Sequence, residues 1–211
     1  MKNKIIVGFL ASVISAFGQC HNGAVGSDTT GLPNTGVRAT ISVIPNGTTW
    51  YWISEVLDNG MWGQIGYQMD VQGNPKVFWQ VWDAGNNWIA TGPVKRMRLS
   101  NGPHTFSMSL KRGTTWEFKA DSKDAGSFDM QSAVSYGGSM WALGEGLCSA
   151  PIQVVTFSKI SILRGGAWLI VPAGYTFGGY YGVQGYLQNP SIPPGGFQRG
   201  GVIPITGGKL W

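Results

Sequence analysis

The side chains best suited to hydrolytic chemistry in this chain are an amide and a carboxyl, Gln64 and Glu145. Glu145 is the only charged residue between Asp129 and Lys159, and burial beside Trp141 would favour its protonated form. Such a carboxyl can take and give a proton, while the amide NH2 can donate to an oxygen that gains negative charge. If the two residues meet across one sheet, we expect water attack on an amide bond. A lone Glu between glycines is also typical of an exposed loop.

The segment that would position the amide is Trp62–Met69, whose alternation predicts one strand. Apolar residues fall on one face, and Gln64, Gly66 and Gln68 fall on the other. This polar face with a glycine gap suits a groove for an extended ligand, and it suits an ordinary solvated face as well. Asp58-Asn59-Gly60 is a hairpin signal that sets the strand antiparallel to the one before it.

The rest of the chain shows turn signals between short alternating segments and no sustained helical period. This pattern predicts an all-β fold, an antiparallel two-sheet sandwich, over residues 37–172. We expect a signal peptide or N-terminal anchor at residues 1–18, a lead-in loop at 19–36 and a Gly/Pro-rich C-terminal extension at 173–211.

Composition indicates an exported protein. Only 12% of the 211 residues are charged, the net charge is +5, and there are ten tryptophans. Residues 1–18 combine two lysines, an apolar run and small residues, which is typical of a secretory signal. We therefore expect a secreted or cell-surface protein. The one basic cluster, Lys95–Arg98, is typical of a solvated edge, so we expect no nucleic-acid binding.

Cys20 and Cys148 are the only cysteines, and in an exported chain they predict a disulfide. Two cysteines and two histidines do not make a zinc site, and no phosphate loop or metalloprotease motif is present, so we expect no metal and no cofactor. His21 and His104 lie in the lead-in and in a turn, which argues against a Ser-His-Asp triad. Asn46 begins an Asn-Gly-Thr acceptor for N-glycosylation.

The C-terminal extension cannot build a core of its own, because it is rich in glycine and proline. It could be disordered, wrap the sandwich, or add a strand to a neighbouring copy and so cause self-association. Its apolar end, Val202–Ile205 and Leu210–Trp211, favours docking.

Two stretches resemble the glutamic peptidases of the eqolisin type. Trp62–Tyr67 is similar to the family's Leu-Gln-Thr-Gly segment, and Trp141–Glu145 to its Trp-x-x-Glu segment. The aromatic strand Phe78–Trp82 is similar to one that ordinarily carries Trp, Tyr and Glu. The chain departs from the family at Gly144 and Gly146, where a bulky residue and a second acid are usual.

This resemblance implies a concanavalin-like sandwich with a catalytic dyad. Glu145 would activate water and protonate the leaving amine, and Gln64 would stabilise the oxyanion. The cleft would be lined by Trp52, Trp62, Trp79 and Trp141.

Three functional hypotheses follow. The first is an exported endopeptidase that cleaves polypeptides at acid pH. The second is a non-catalytic module of the same fold that binds glycans through tryptophans on a concave sheet. The third is a structural surface or filament subunit, which the low charge and the apolar C-terminal extension favour.

Overall fold

The computed structural model describes residues 19–26, 33–43, 50–70, 72–136, 140–147, 155–170 and 197–199. These residues form strands and turns, with no helix among them. Within them, therefore, no helix has the length and apolar character to cross a membrane. They build two antiparallel sheets that pack face to face, which confirms the predicted two-sheet sandwich.

The strands have the following bounds in chain order: β1 Gln19–Gly26, β2 Pro33–Asn34, β3 Gly36–Val43, β4 Trp50–Val56, β5 Trp62–Met69, β6 Pro75–Trp82, β7 Trp88–Arg98, β8 Gly102–Arg112, β9 Thr115–Ala120, β10 Lys123–Asp129, β11 Ser135–Tyr136, β12 Met140–Leu147, β13 Val155–Arg164, β14 Ala167–Ile170 and β15 Phe197–Arg199. A six-stranded sheet has the order β1-β12-β4-β5-β6-β7. A seven-stranded sheet has the order β10-β9-β8-β3-β13-β14, with β15 also paired to β13. A small third sheet pairs β2 with β11.

The hydrophobic core lies between the two large sheets. Apolar and polar residues alternate along the strands, and the apolar residues bury the inner face of each sheet. The largest fully buried side chains are Trp116, Tyr51, Tyr67, Phe106, Phe118, Ile41, Ile53, Ile65, Met108 and Met130. The sheets are joined by ring contacts such as Tyr67 with Phe106, whose centroids are 6.2 Å apart.

Trp79 is a second link between the sheets. Its indole stacks on Phe118 of the facing sheet, with centroids 4.8 Å apart and an interplanar angle of 11°. Its Nε1 donates to the carbonyl oxygen of Ala125 on β10 at 2.9 Å. Gly92 and Gly126 leave room for this ring, because a Cβ on either would approach Nε1 to 2.1 Å or 2.4 Å.

The segment predicted as a lead-in loop differs from expectation. Gln19–Gly26 forms β1, which pairs with all eight residues of β12. Its sequence lacks an apolar alternation, so periodicity could not reveal it; the backbone of β12 supplies the pairing. Glu145 likewise lies inside a strand and not in a loop, since β12 continues to Leu147.

Part of the predicted C-terminal extension forms a strand, because Phe197–Arg199 pairs with Val155–Phe157 of β13 in the same chain. Residues 1–18, Asn46 and Cys148 lie outside the described residues, as does most of the extension. The signal peptide, the glycosylation site and the disulfide therefore stay predictions. Cys20 pairs in register with Gly146.

Candidate functional site

Gln64 lies on the face of the six-stranded sheet that points away from the core. Its Cα partners are Ser54 on β4 and Gln80 on β6, and Gln80 in turn pairs with Thr91 on β7. We call these four residues the amide row. Gln64 is only 3% exposed, and its Nε2 donates to Oε1 of Gln80 at 2.8 Å. Oε1 of Gln64 is buried and has no hydrogen-bond partner.

A row of tryptophans runs beside the amide row, two residues along β5 and β6 and three residues along β7, where the register shifts. Trp62 on β5 pairs with Trp82 on β6, and Trp82 pairs with Trp88 on edge strand β7. We call these three the tryptophan row. The indoles of Trp62 and Trp82 are stacked, with centroids 3.9 Å apart and an angle of 2°. Trp62 Nε1 donates to Asn86 Oδ1 at 3.0 Å, and Trp88 is 38% exposed.

A second aromatic group borders the amide row on its other side. Trp52 and Phe78 are the register partners of Gly66 on β4 and β6, and they form a small buried cluster with Trp50 packed against it. A Cβ on Gly66 would lie 1.9 Å from the carbonyl oxygen of Tyr51 and 2.8 Å from Cβ of Trp52. The glycine gap predicted as part of a groove is thus filled by β4 itself.

The amide row therefore lies between two aromatic rows. By register, the amide row, the tryptophan row and the row through Trp52, Gly66 and Phe78 contain no charged residue among the described positions. The next row, through Trp50 and Gln68, contains Glu145 and Lys76.

Ser54, Gln64, Trp52 and Phe78 are buried in this arrangement. The part that reaches solvent is Gln80, Thr91 and the tryptophan row, which offer ring faces and polar groups to an uncharged ligand.

Glu145 lies in the same six-stranded sheet as Gln64, but β4 separates the two strands. The Cα partner of Glu145 is Trp50, whose partner on β5 is Gln68. Gln64 is four residues from Gln68, so the Cα positions of Gln64 and Glu145 are about 16 Å apart at usual strand spacing and rise. Trp141 occupies the position on β12 in line with Gln64. The register shows no Gln64–Glu145 dyad.

The four tryptophans predicted to line a cleft separate into different environments. Trp62 borders the amide row, and Trp52 does so from within its buried cluster. Trp79 cannot line that surface, because it belongs to the opposite face and is 7% exposed in the core. For Trp141 the structure describes the backbone alone, which places it on β12 in register with Ser54.

Sequence reasoning missed Gln80, Trp82 and Trp88 as members of this surface. The segment Val77–Trp82 is bulky on both faces, so its composition did not reveal which residues accompany Gln64. The period of two was the available signal, because Gln80 and Trp82 alternate with the core residues Trp79 and Val81.

A hydroxyl, an imidazole and a carboxylate meet at His104, which lies in β8 and not in the predicted turn. Nδ1 of His104 is 2.5 Å from Oδ2 of Asp121, and Nε2 is 3.2 Å from Oγ of Ser100. However, Nε2 is also 2.9 Å from the carbonyl oxygen of Ser100, which only accepts hydrogen bonds. A nitrogen that donates there is not the base that a serine nucleophile needs. The contact joins the loop before β8 to the β9–β10 turn.

No metal centre is evident in the part of the chain that the structure describes, since no three His, Cys, Asp or Glu side chains gather there as ligands would.

Glu55 is fully buried, but it is adjacent to Ser54 and so belongs to the face opposite the amide row.

The comparisons with known proteins concern structure alone. No protein-family model matches the chain. No curated protein matches its sequence. Similar solved structures include a scytalido-glutamic peptidase with a peptide-based transition state analog, at 12% identity and a TM-score of 0.46, covering 85% of this chain and 96% of that one. Toad ovary galectin with thio-digalactose is similar at 14% identity and a TM-score of 0.44, covering 67% of this chain and 98% of that one.

LamAcat from Zobellia galactanivorans is similar at 10% identity and a TM-score of 0.37, covering 76% of this chain and 73% of that one. These proteins differ in what their names say they are, and a shared fold does not carry a shared function. The resemblance to the eqolisin family is therefore not confirmed, and function has to be argued from the residues of the amide row and its neighbours.

Proposed function

We propose that this protein is a non-catalytic binding module and that the amide row, with the aromatic rows beside it, binds an uncharged carbohydrate chain. The predicted secretory signal would place this module outside the cell, where such chains are displayed.

The observation that carries this proposal is the buried, unpartnered Oε1 of Gln64. An unpaired buried acceptor costs about 1–3 kcal/mol. Oε1 is closed to solvent in the structure, so a ligand hydroxyl would recover that free energy only after the side chains that cover Oε1 move aside. Gln80 is less buried than Gln64, and its amide NH2 can donate to an oxygen of the same ligand.

Carbohydrate fits this surface better than a charged ligand does. A sugar hydroxyl both donates and accepts, which matches the acceptor on Gln64 and the donor on Gln80. The apolar C–H face of a sugar ring suits an indole, and Trp82 and Trp88 extend the tryptophan row to the edge of the sheet. No charged side chain in the three rows would lose hydration when a neutral ligand covers them.

The experiment is a binding measurement against a glycan array, followed by calorimetry with the best neutral oligosaccharide. We expect Trp88→Ala and Trp82→Ala each to weaken binding about tenfold, since each removes about 1–2 kcal/mol of ring contact. Trp168→Ala is the matched control, because Trp168 is a partly exposed tryptophan on the seven-stranded sheet. The proposal fails if the parent binds no glycan, or if Trp88→Ala and Trp82→Ala bind as the parent does.

Peptide hydrolysis is a second candidate. The shared sheet of Gln64 and Glu145 favours it, and the distance of about 16 Å between their Cα positions opposes it. An assay of denatured protein cleavage at acid pH separates the two functions. Cleavage by the parent that Glu145→Gln abolishes would establish the enzyme and overturn the binding-only proposal. Absence of cleavage by the parent would reject the enzyme.

A further inference from the structure

The hairpin of β13 and β14 carries exposed apolar side chains at the edge of the seven-stranded sheet. Leu169 is 45% exposed and Ile170 is 54% exposed, and they follow a turn at Gly165 and Gly166. Two consecutive large apolar residues with this exposure make the strand a candidate interaction surface.

These two side chains lie on opposite faces of β14. Leu169 pairs with Ile162, a core residue, and therefore belongs to the inner face of the sheet. Ile170 pairs with Ser161, which pairs with Arg38, and so belongs to the outer face. Both remain exposed because the strand is at the edge. A flat protein surface would cover one face, whereas a fluid apolar medium would cover both.

The strands around this hairpin are basic. β3, β13, β14 and β15 together contain Arg38, Lys159, Arg164 and Arg199, and none contains an aspartate or a glutamate. Lys159 is exposed. Cζ of Arg38 lies 4.5 Å from the ring centroid of Trp168, which holds a cation and an indole together beside Ile170.

We propose that the β13–β14 hairpin, together with these basic strands, docks the protein on an anionic lipid surface. Leu169 and Ile170 enter the boundary between headgroups and acyl chains, and Trp168 lies at headgroup depth, where indoles are favoured. Arg38 and Lys159 face the anionic headgroups. Among the described strands, β14 pairs only with β13. The insertion is therefore shallow, because the other backbone edge of β14 needs water or headgroups for its hydrogen bonds.

Two other partners fit less well. A second copy of the chain would bring two basic edges together, and like charges oppose such an interface. A nucleic acid would match the charge, but it would leave Leu169 and Ile170 without an apolar environment. The charge and the two-faced exposure together favour lipid.

The test is co-sedimentation of the full chain with vesicles. We expect binding to phosphatidylcholine vesicles that contain about one third phosphatidylserine, weaker binding to phosphatidylcholine alone, and weakening by added salt. The double variant Leu169→Ser, Ile170→Ser should bind at least about tenfold more weakly, because it removes the inserted apolar side chains. The matched control is Ile89→Ser, since Ile89 is 42% exposed on β7 of the other sheet.

A second variant tests the charge independently of the apolar residues. Arg38→Gln with Lys159→Gln should weaken binding about fivefold for each removed charge. Circular dichroism and the thermal unfolding midpoint verify that each variant folds. Parent protein that stays in the supernatant with anionic vesicles would overturn the proposal. Vesicle binding as strong as the parent's by both double variants would overturn it as well. Binding to heparin or DNA without vesicle binding would instead assign the basic strands to a polyanion.

Discussion

Gln64 donates from Nε2 to Oε1 of Gln80 across β5 and β6, at 2.8 Å. This bond occupies one donor of the Gln64 amide, while its buried Oε1 has no hydrogen-bond partner. An oxyanion needs a donor, and the second N–H of Nε2 remains for one, so the bond to Gln80 leaves the Gln64 amide with both a donor and an acceptor for a ligand. What opposes a peptidase mechanism is the distance of about 16 Å between the Cα positions of Gln64 and Glu145.

The first prediction concerns the stability of this amide pair. Gln80→Leu should destabilise the fold by about 1–3 kcal/mol, because it leaves the buried Nε2 of Gln64 without its acceptor. The double variant Gln64→Leu, Gln80→Leu should lose less, since it removes both polar groups together. Urea unfolding at neutral pH measures both changes.

The two single variants and the double variant form a double-mutant cycle, whose interaction free energy measures the coupling between Gln64 and Gln80. Additive losses would show that the hydrogen bond contributes nothing to stability. The same double variant should also lose glycan binding, since it removes the acceptor and the donor that the ligand would meet.

Much of the sandwich could be predicted from sequence, because its strands are amphipathic. The observed bounds of β5 are Trp62–Met69, as predicted, and the Asp58–Gly60 turn joins it to β4 as expected. Here the apolar alternation and the turn residues agree. β1 was missed because Gln19–Gly26 has no such alternation, and it is a strand only through its pairing with β12.

The candidate site was harder to predict, since register depends on pairing partners that one strand's sequence does not encode. Gln64 and Glu145 were expected to meet across one sheet. Their positions differ by four residues along the strand direction, and β4 lies between their strands. Likewise, Trp79 and Gln80 are adjacent in a strand that is bulky throughout, and only the facing sheet decides which of them is buried.

The second prediction concerns Gly66. Gly66→Ala should destabilise the protein by about 3 kcal/mol or more, because its Cβ would lie 1.9 Å from the backbone carbonyl oxygen of Tyr51. Gly73→Ala is the comparison, since no atom lies within 4 Å of its Cβ position and only its φ of +77° opposes a side chain. We expect about 1 kcal/mol for Gly73→Ala. Equal losses in chemical denaturation would contradict the close approach of β4 to Gly66.

The third prediction concerns the space around the Trp79 indole. Gly92→Ala should destabilise the protein, because its Cβ would approach Nε1 of Trp79 to 2.1 Å. Trp79→Phe should cost about 1 kcal/mol through the lost bond to Ala125, besides its loss of packing. The smaller ring should also make room for the methyl group that Gly92→Ala adds, so the double variant should be more stable than the sum of the single losses predicts. Strict additivity in thermal unfolding would show that the two sites do not touch.

The fourth prediction concerns pH and the loop between β5 and β6. Oδ1 of Asp70 accepts the N–H groups of Gln72 at 3.0 Å and Asn74 at 2.8 Å, and Oδ2 lies 2.8 Å from Nζ of Lys76. The Lys76 ammonium first, and then the Asn74 backbone, lower the pKa of Asp70 to about 2. Because the folded pKa is depressed, this stabilisation is present above the unfolded value of about 3.9 and is lost as pH falls toward about 2.

Lys76→Met removes the main cause of that pKa shift and keeps the hydrogen bonds from the loop backbone to Asp70. A substitution of Asp70 itself would remove both, so Lys76→Met is the better test. We expect the thermal midpoint of Lys76→Met to fall less steeply than that of the parent between pH of about 4 and about 2. Asp83 repeats the arrangement after β6: Oδ1 accepts the N–H groups of Gly85 and Asn87, and the Asn87 side chain is the first cause that lowers the Asp83 pKa. Asp83→Asn should therefore also reduce the pH dependence, but it should do so equally in the parent and in Lys76→Met, because the groups that lower the Asp83 pKa all belong to its own loop. Parallel curves for the parent and Lys76→Met in acid would show that the ion pair with Lys76, whose side chain is 57% exposed and open to screening, does not set the pKa of Asp70.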